Sequence, residues 1–208
     1  MSVWRKVSGS ATPIVSLAEA KTQVNAAGYS DDDTFLTSLT LVANDRLDLE
    51  NGVVGRPLLT QVWQMTCPAP IQSADTPYLR GMPATTGFLI DRAPLQSVTA
   101  VEYLSGGVYT TWDASQWVAR AASRDATWVR PATGLAWPTV DTDEAAWRIT
   151  ATLGYGDTTD LIPPSLRQAA LLMIGHWHLN REAVAIGAPV ELPLGVEALI
   201  APHRAGWF

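Results

Sequence analysis

PPSLRQAALLMIGHWHLNRE, residues 163–182, decides how the rest of the chain is read. Two prolines open it, which suits the first turn of a helix, where a missing N–H costs little. Leu166, Ala170, Met173 and Trp177 follow at spacings of four, three and four and share one helical face. From Ala169 to Ile174 every residue is apolar, so the middle of this helix has no wet side. Polar cover returns at Asn180, Arg181 and Glu182. Such a helix packs on its own domain along one side and is suited to meet another subunit along the other. Leu171, Ile174 and Trp177 are the residues expected at that subunit interface.

Composition agrees with a chain that works in an assembly. Of 208 residues, 47% are hydrophobic and only 16% charged, where a soluble domain usually carries about a quarter charged residues. The chain can bury a core and is not disordered. The net charge of −6 argues against a protein held to nucleic acid by phosphate contacts, which needs a basic face. The single cysteine, Cys67, permits no internal disulfide and fits a reducing compartment. No signal peptide is visible at Met1–Gly9, and the apolar run 169–174 is far short of the roughly 20 residues of a membrane span.

Outward from the long helix, the chain divides into blocks. Residues 1–14 read as a flexible leader. Ser16 and Glu19 form a capping box, with Val15 and Ala20 placed as a hydrophobic staple. Leu17, Ala20, Val24 and Ala27 give the first helix its apolar face, and Gly28 is its expected stop. A second helix starts at Asp31-Asp32-Asp33, which suits the positive end of the helix dipole. Leu36, Leu39, Ala43 and Leu47 form its seam, and Asn51-Gly52 its end.

From about Leu58 the period changes to two, with Trp63, Met65 and Cys67 alternating against Val62, Gln64 and Thr66. Residues 68–86 read as a long loop. Strands are expected at 88–90, 98–104, 108–112, 117–120, 127–130 and 147–155, with a hairpin turn at Gly106-Gly107. Alternation with polar residues implies antiparallel sheet with one wet face. The last stretch holds an extended linker, 183–194, a short helix at 195–201 stopped by Pro202, and an aromatic tail, Trp207-Phe208. The expected fold class is α+β. A helical body (15–57 and 160–208) carries an inserted antiparallel β-rich domain (58–159).

Chemistry is hard to find. There is no P-loop, no nucleophile elbow, no H-E-x-x-H and no C-x-x-C. His176 and His178 are two apart on a helix, about 200° around it, so one ion cannot take both. The Asp triple lacks the spaced oxygens and turn glycine of a calcium loop. No metal, cofactor or catalytic residue is expected, and the chain reads as no enzyme. Six of nine tryptophans (Trp63, Trp112, Trp117, Trp128, Trp137, Trp147) lie in the β block. Exposed on a sheet they would hold sugar rings, so a carbohydrate-binding module is the alternative reading. Buried, they would be core or interface packing.

Three stretches together resemble a known family. They are Ser16-Leu17-Ala18-Glu19-Ala20-Lys21 followed by Asp32-Asp33 and a helix; Pro94 through Leu104; and Pro164 through Val184 with Glu191 through Arg204. This pattern is similar to the head–tail connector, or neck adaptor, of long-tailed phages and of phage-derived gene transfer agents, over residues 15–204. The resemblance implies a homo-oligomeric ring, with twelve copies expected, in the neck of the particle and assembled in the host cytoplasm. It implies docking to the portal protein above and to a further neck protein below, a stopper or tail terminator. DNA would pass through the channel without specific binding. The portal contact is then expected at Val196, Leu199, Ile200, His203, Arg204, Trp207 and Phe208.

Overall fold

The computed structural model describes residues 2–49, 52–72, 86–181 and 194–205. The fold is α+β: one strand comes first, helices follow, the remaining strands of two antiparallel sheets come next, and helices end the order. The chain forms two compact units. One comprises residues 10–59 and 155–205, the other residues 2–9 and 60–154.

The helical unit contains α1 (Leu17–Gln23), α2 (Asp33–Leu47), α3 (Pro164–Leu179) and α4 (Leu194–Ile200). The capping box at α1 is present: the Ser16 hydroxyl accepts from the Glu19 N–H and the Glu19 carboxylate accepts from the Ser16 N–H. The helix ends earlier than Gly28. Asn25 adopts φ +58°, a left-handed position that Asn tolerates better than most side chains. The Ala26 N–H then reaches the Lys21 carbonyl and the Asn25 N–H the Thr22 carbonyl, the pair of bonds that closes a Schellman turn. In α2 the seam Leu36, Leu39, Ala43 and Leu47 is buried, and the helix stops at Leu47. Asn51, expected at its end, lies outside the described residues.

In α3, Leu166, Ala169, Ala170, Met173 and Ile174 are buried. The helix ends at Leu179, where the backbone N–H and side-chain amide of Asn180 both donate to the His176 carbonyl. These side chains join Ile14, Val15, Ala20, Leu58, Ile162, Val196 and Ile200 in one core. Each fully buried aliphatic side chain contributes about 1.5–3 kcal/mol.

The second unit holds two antiparallel sheets. Its strands are β1 (Val3–Gly9), β2 (Gln61–Cys67), β3 (Ile71–Gln72), β4 (Thr86–Ile90), β5 (Leu95–Ser105), β6 (Val108–Thr111), β7 (Trp117–Ala121), β8 (Thr127–Pro131) and β9 (Trp147–Leu153). Five strands run in the order β1-β2-β9-β5-β6 and four in the order β3-β4-β8-β7. The leader expected at 1–14 is instead an edge strand over Val3–Gly9. It pairs with β2 from Val3↔Thr66 to Gly9↔Gln61, with a bulge between Lys6 and Ser8. Only Trp4 and Lys6 turn partly inward along it, too short an alternation to stand out in the sequence.

The period-two strands behave as their pattern demands. Gln61, Trp63, Met65 and Cys67 of β2 and Trp147, Ile149, Ala151 and Leu153 of β9 are buried. The buried Gln61 carbonyl is satisfied by the Trp63 indole N–H at 2.8 Å. On the other face, Glu102 and Arg148 stand opposite each other and form a two-bonded pair at 2.7 and 2.8 Å. Gly106 and Gly107 form the β5–β6 turn at φ +61° and +77°, which a two-residue type I′ turn requires. Gly87 serves close approach instead: a Cβ there would lie 2.7 Å from the Val129 carbonyl and 3.1 Å from the Trp128 ring.

Phe88, Tyr103, Trp112, Trp137 and Trp147 form a linked aromatic cluster, with ring centroids 4.9–5.9 Å apart and several edge-to-face pairs. Arg92 places its guanidinium over the Trp4 and Trp63 rings, 5.2 and 4.7 Å from their centroids. Trp63, Trp112, Trp128 and Trp147 are buried and Trp117 and Trp137 half-buried. The sugar-platform alternative needed exposed rings, and these are spent on packing.

Candidate partner-docking surface

At the C-terminal end of the helical unit, α4 offers one face to the core and one to solvent. Val196 and Ile200 are fully buried, so they hold α4 down and are not available to a partner. This corrects the expectation for both. Leu199 is half-buried and Glu197 and Ala198 are exposed. The Arg204 guanidinium pairs with Glu197 at 2.6 Å. The His203 ring nitrogen lies 2.7 Å from the Ser165 hydroxyl. Trp207 and Phe208 lie outside the described residues.

Beneath this segment runs a residue the sequence reading missed. Arg56 is 3% exposed, donates from Nε to the His203 carbonyl at 2.6 Å and from Nη2 to the Arg204 carbonyl at 3.4 Å. The Ala205 N–H donates to the Val54 carbonyl at 2.8 Å. A lone arginine within the otherwise uncharged stretch Gly52–Thr60 was the available signal.

The flank expected at α3 divides in the same way. Ile174 is fully buried in the chain's own core, which removes it from any subunit contact. Leu171 and Trp177 are half-buried. Leu171 lines an open groove of about 380 Å³ with Ala18, Glu19, Thr22 and Gln23 of α1. Elsewhere on the unit, α2 carries Leu41 and Val42 side by side at 49% and 51% exposure. Thr34, Thr37 and Ser38 extend that uncharged face.

Charge is divided unevenly. Twelve of the 20 Asp and Glu, but six of the 14 Lys and Arg, belong to the helical unit. The whole formal charge of −6 therefore resides there. Part of the acidic set is tied into the fold. Asp32, beside the start of α2, meets His178 at 3.0 Å and Arg181 at 2.7 Å from the end of α3. Hydrogen bonds from His178, then Arg181, hold its carboxyl below the usual aspartate range. Arg181 also stacks over Phe35, 4.7 Å from the ring centroid. For Glu19, burial acts to raise the pKa but is outweighed by hydrogen bonds from Ser16 and by the Arg167 guanidinium. Asp33 pairs with Lys21 at 2.7 Å. Cys67 is buried, and burial pushes its thiol up to about 12, which makes it inert.

The fold is similar to that of chains of assembled particles. One is in the neck of an empty gene transfer agent (GTA) particle computed with C6 symmetry, with TM-score 0.67, 23% identity, and 98% of this chain and 95% of that chain covered. Its fold is that of a neck protein of a gene transfer agent particle. A second similar chain is in the virion of a native GTA particle, at TM-score 0.64 and 20% identity, covering 97% and 95%. A third is in the neck of a native GTA particle computed with C12 symmetry, at TM-score 0.60 and 19% identity, covering 98% and 95%. No protein family matches the sequence, and no curated protein does. The neck fold spans both units, so the β-unit belongs to the shared architecture.

Proposed function

We propose that this chain is a head-to-tail connector. In this reading it forms a ring in the neck of a tailed virion or gene transfer agent particle, between the portal and the next neck protein, around a channel for DNA. The observation that carries it is the end-to-end likeness to neck chains from particles computed with rotational symmetry. A closed ring needs two different, non-overlapping patches per subunit. The helical unit supplies candidates for both: the Leu41–Val42 face of α2 and the groove floored by Leu171. We assign these two surfaces to contact between copies. Trp177, half-buried further along α3, stays in this assignment as a separate contact.

The C-terminal segment is the assigned contact with the portal. With Val196 and Ile200 in the core, its available groups are Leu199, His203 and Arg204, and beyond them Trp207 and Phe208. An acidic helical unit suits a channel wall, since like charge keeps the DNA phosphates from sticking. The role is structural and needs no catalytic group.

The test is genetic and direct. Particles made without this chain should accumulate as DNA-filled heads lacking tails in electron micrographs, with tails free. Tails joined to filled heads in its absence would refute the proposal.

A further inference from the structure

The chain's C-terminal segment is held by more than its own short helix. Helix α4 has seven residues, too few to be stable without tertiary support. The turn Ala201–His203 follows it, and its end leaves carbonyl groups with no partner in the helix. Arg56 takes two of them, on His203 and Arg204. A buried guanidinium requires acceptors, and its planar fork fixes the geometry of those it finds. One residue further on, the Ala205 N–H returns a bond to Val54. Residues 203–205 are thus tied on consecutive peptide units to the segment 54–56, and the His203 ring is tied to α3 through Ser165.

We infer that Arg56 is a positioning residue: it holds the backbone of residues 203–205 in place, so that His203, Arg204 and the point at which the chain leaves the helical unit are set before the partner arrives. This rests on the proposed docking of the C-terminal arm to the portal. A docking segment held in place beforehand loses less conformational freedom on binding than a free one. Arg56 itself touches no partner and acts through the backbone of His203, Arg204 and Ala205.

The experiment measures binding of the full chain to the portal protein of the same particle by surface plasmon resonance. It compares wild type, a chain ending at Ala205, Arg56→Ala, Arg56→Lys and Ala205→Pro. The last variant keeps Arg56 and deletes only the N–H donated to Val54. The preceding residue, Arg204 at φ −56° and ψ 137°, already has the backbone that a following proline demands. Truncation should abolish most of the affinity. Arg56→Ala and Ala205→Pro should each weaken binding about tenfold or more, and Arg56→Lys, which keeps the charge but not the fork, should restore part of the loss. Amide hydrogen exchange should show lost protection at Arg204 and Ala205 in Arg56→Ala with α3 still protected. Wild-type affinity in both Arg56→Ala and Ala205→Pro, where truncation weakens binding, overturns the clamp alone. Unchanged affinity on truncation overturns the arm as the docking element, and the clamp with it.

Discussion

Replacing Ile200 by alanine separates two roles for α4, because its side chain was expected to face a partner and instead faces the core. Ile200 is 0% exposed and lies in the cluster with Val196, Leu166 and Met173. The substitution removes three carbons, about 2.4 kcal/mol at ~0.8 kcal/mol per buried group. The void left behind adds to this, and measured losses for such changes span about 2–5 kcal/mol. A loss of about 3 kcal/mol is expected for the helical unit. Leu199, half-buried on the next position, should lose about 1 kcal/mol on the same change, since roughly half the area is involved. Urea unfolding followed by far-ultraviolet circular dichroism, which reports helix, measures both. Hydrogen exchange at α4 shows whether the loss is confined to that helix. The reasoning fails if Ile200→Ala costs under about 0.5 kcal/mol, the range of a surface substitution.

Three further outcomes are expected. Leu41→Asp with Val42→Asp should block ring formation on the portal, read by analytical ultracentrifugation. The isolated chain should lose about 2–3 kcal/mol and stay folded, since each half-exposed side chain gives up partial burial together with some helix propensity. At the β5–β6 turn, Gly106→Val should cost about 1–2 kcal/mol in the β-unit and Gly106→Asn much less, because the position needs positive φ and has open space around it. Asp32 has a folded pKa below its ordinary 3.8, so its contribution to stability is present above that ordinary value and lost as pH falls through the lowered one. The stability gap between wild type and Asp32→Asn should therefore be full near neutrality and shrink below about pH 4, measured by urea titration at each pH.

Strong periodicity announced most of the fold. The seam of α2, that of α3 as far as Met173, and the alternation in β2 and β9 each bury what their spacing says they should. So did local chemistry with a single solution: the Ser16–Glu19 box and the Gly106–Gly107 turn. What escaped was set by distant parts of the chain. Strand β1 has little pattern of its own because it is an edge, paired on one side with β2 some sixty residues later. Glycine is the usual left-handed residue at a helix end, which points to Gly28, whereas Asn25 takes that position in α1. At the candidate surface the error had one cause. An apolar residue on a short or fully apolar helix looks the same in sequence whether it faces a partner or a core, and Val196, Ile200 and Ile174 face the core. Arg56 carries no more signal in sequence than its isolation among uncharged residues, since its meaning depends on carbonyls nearly 150 positions away.

The order of strands also constrains how the molecule can be made. Strand β9 sits between β2 and β5, and β1 reaches that sheet only through β2. As the ribosome releases the polypeptide, β1, β2 and β5 are all synthesised before their central neighbour exists, and they remain without it until residue 147 emerges. Contacts of such long sequence separation close slowly. The edges that β2 and β5 offer to β9 therefore wait unpaired while residues 68–146 and 106–146, respectively, are made. A nascent-chain arrest series should show the sheet resisting protease only once β9 has cleared the exit tunnel, and chaperone dependence should be greatest just before that point.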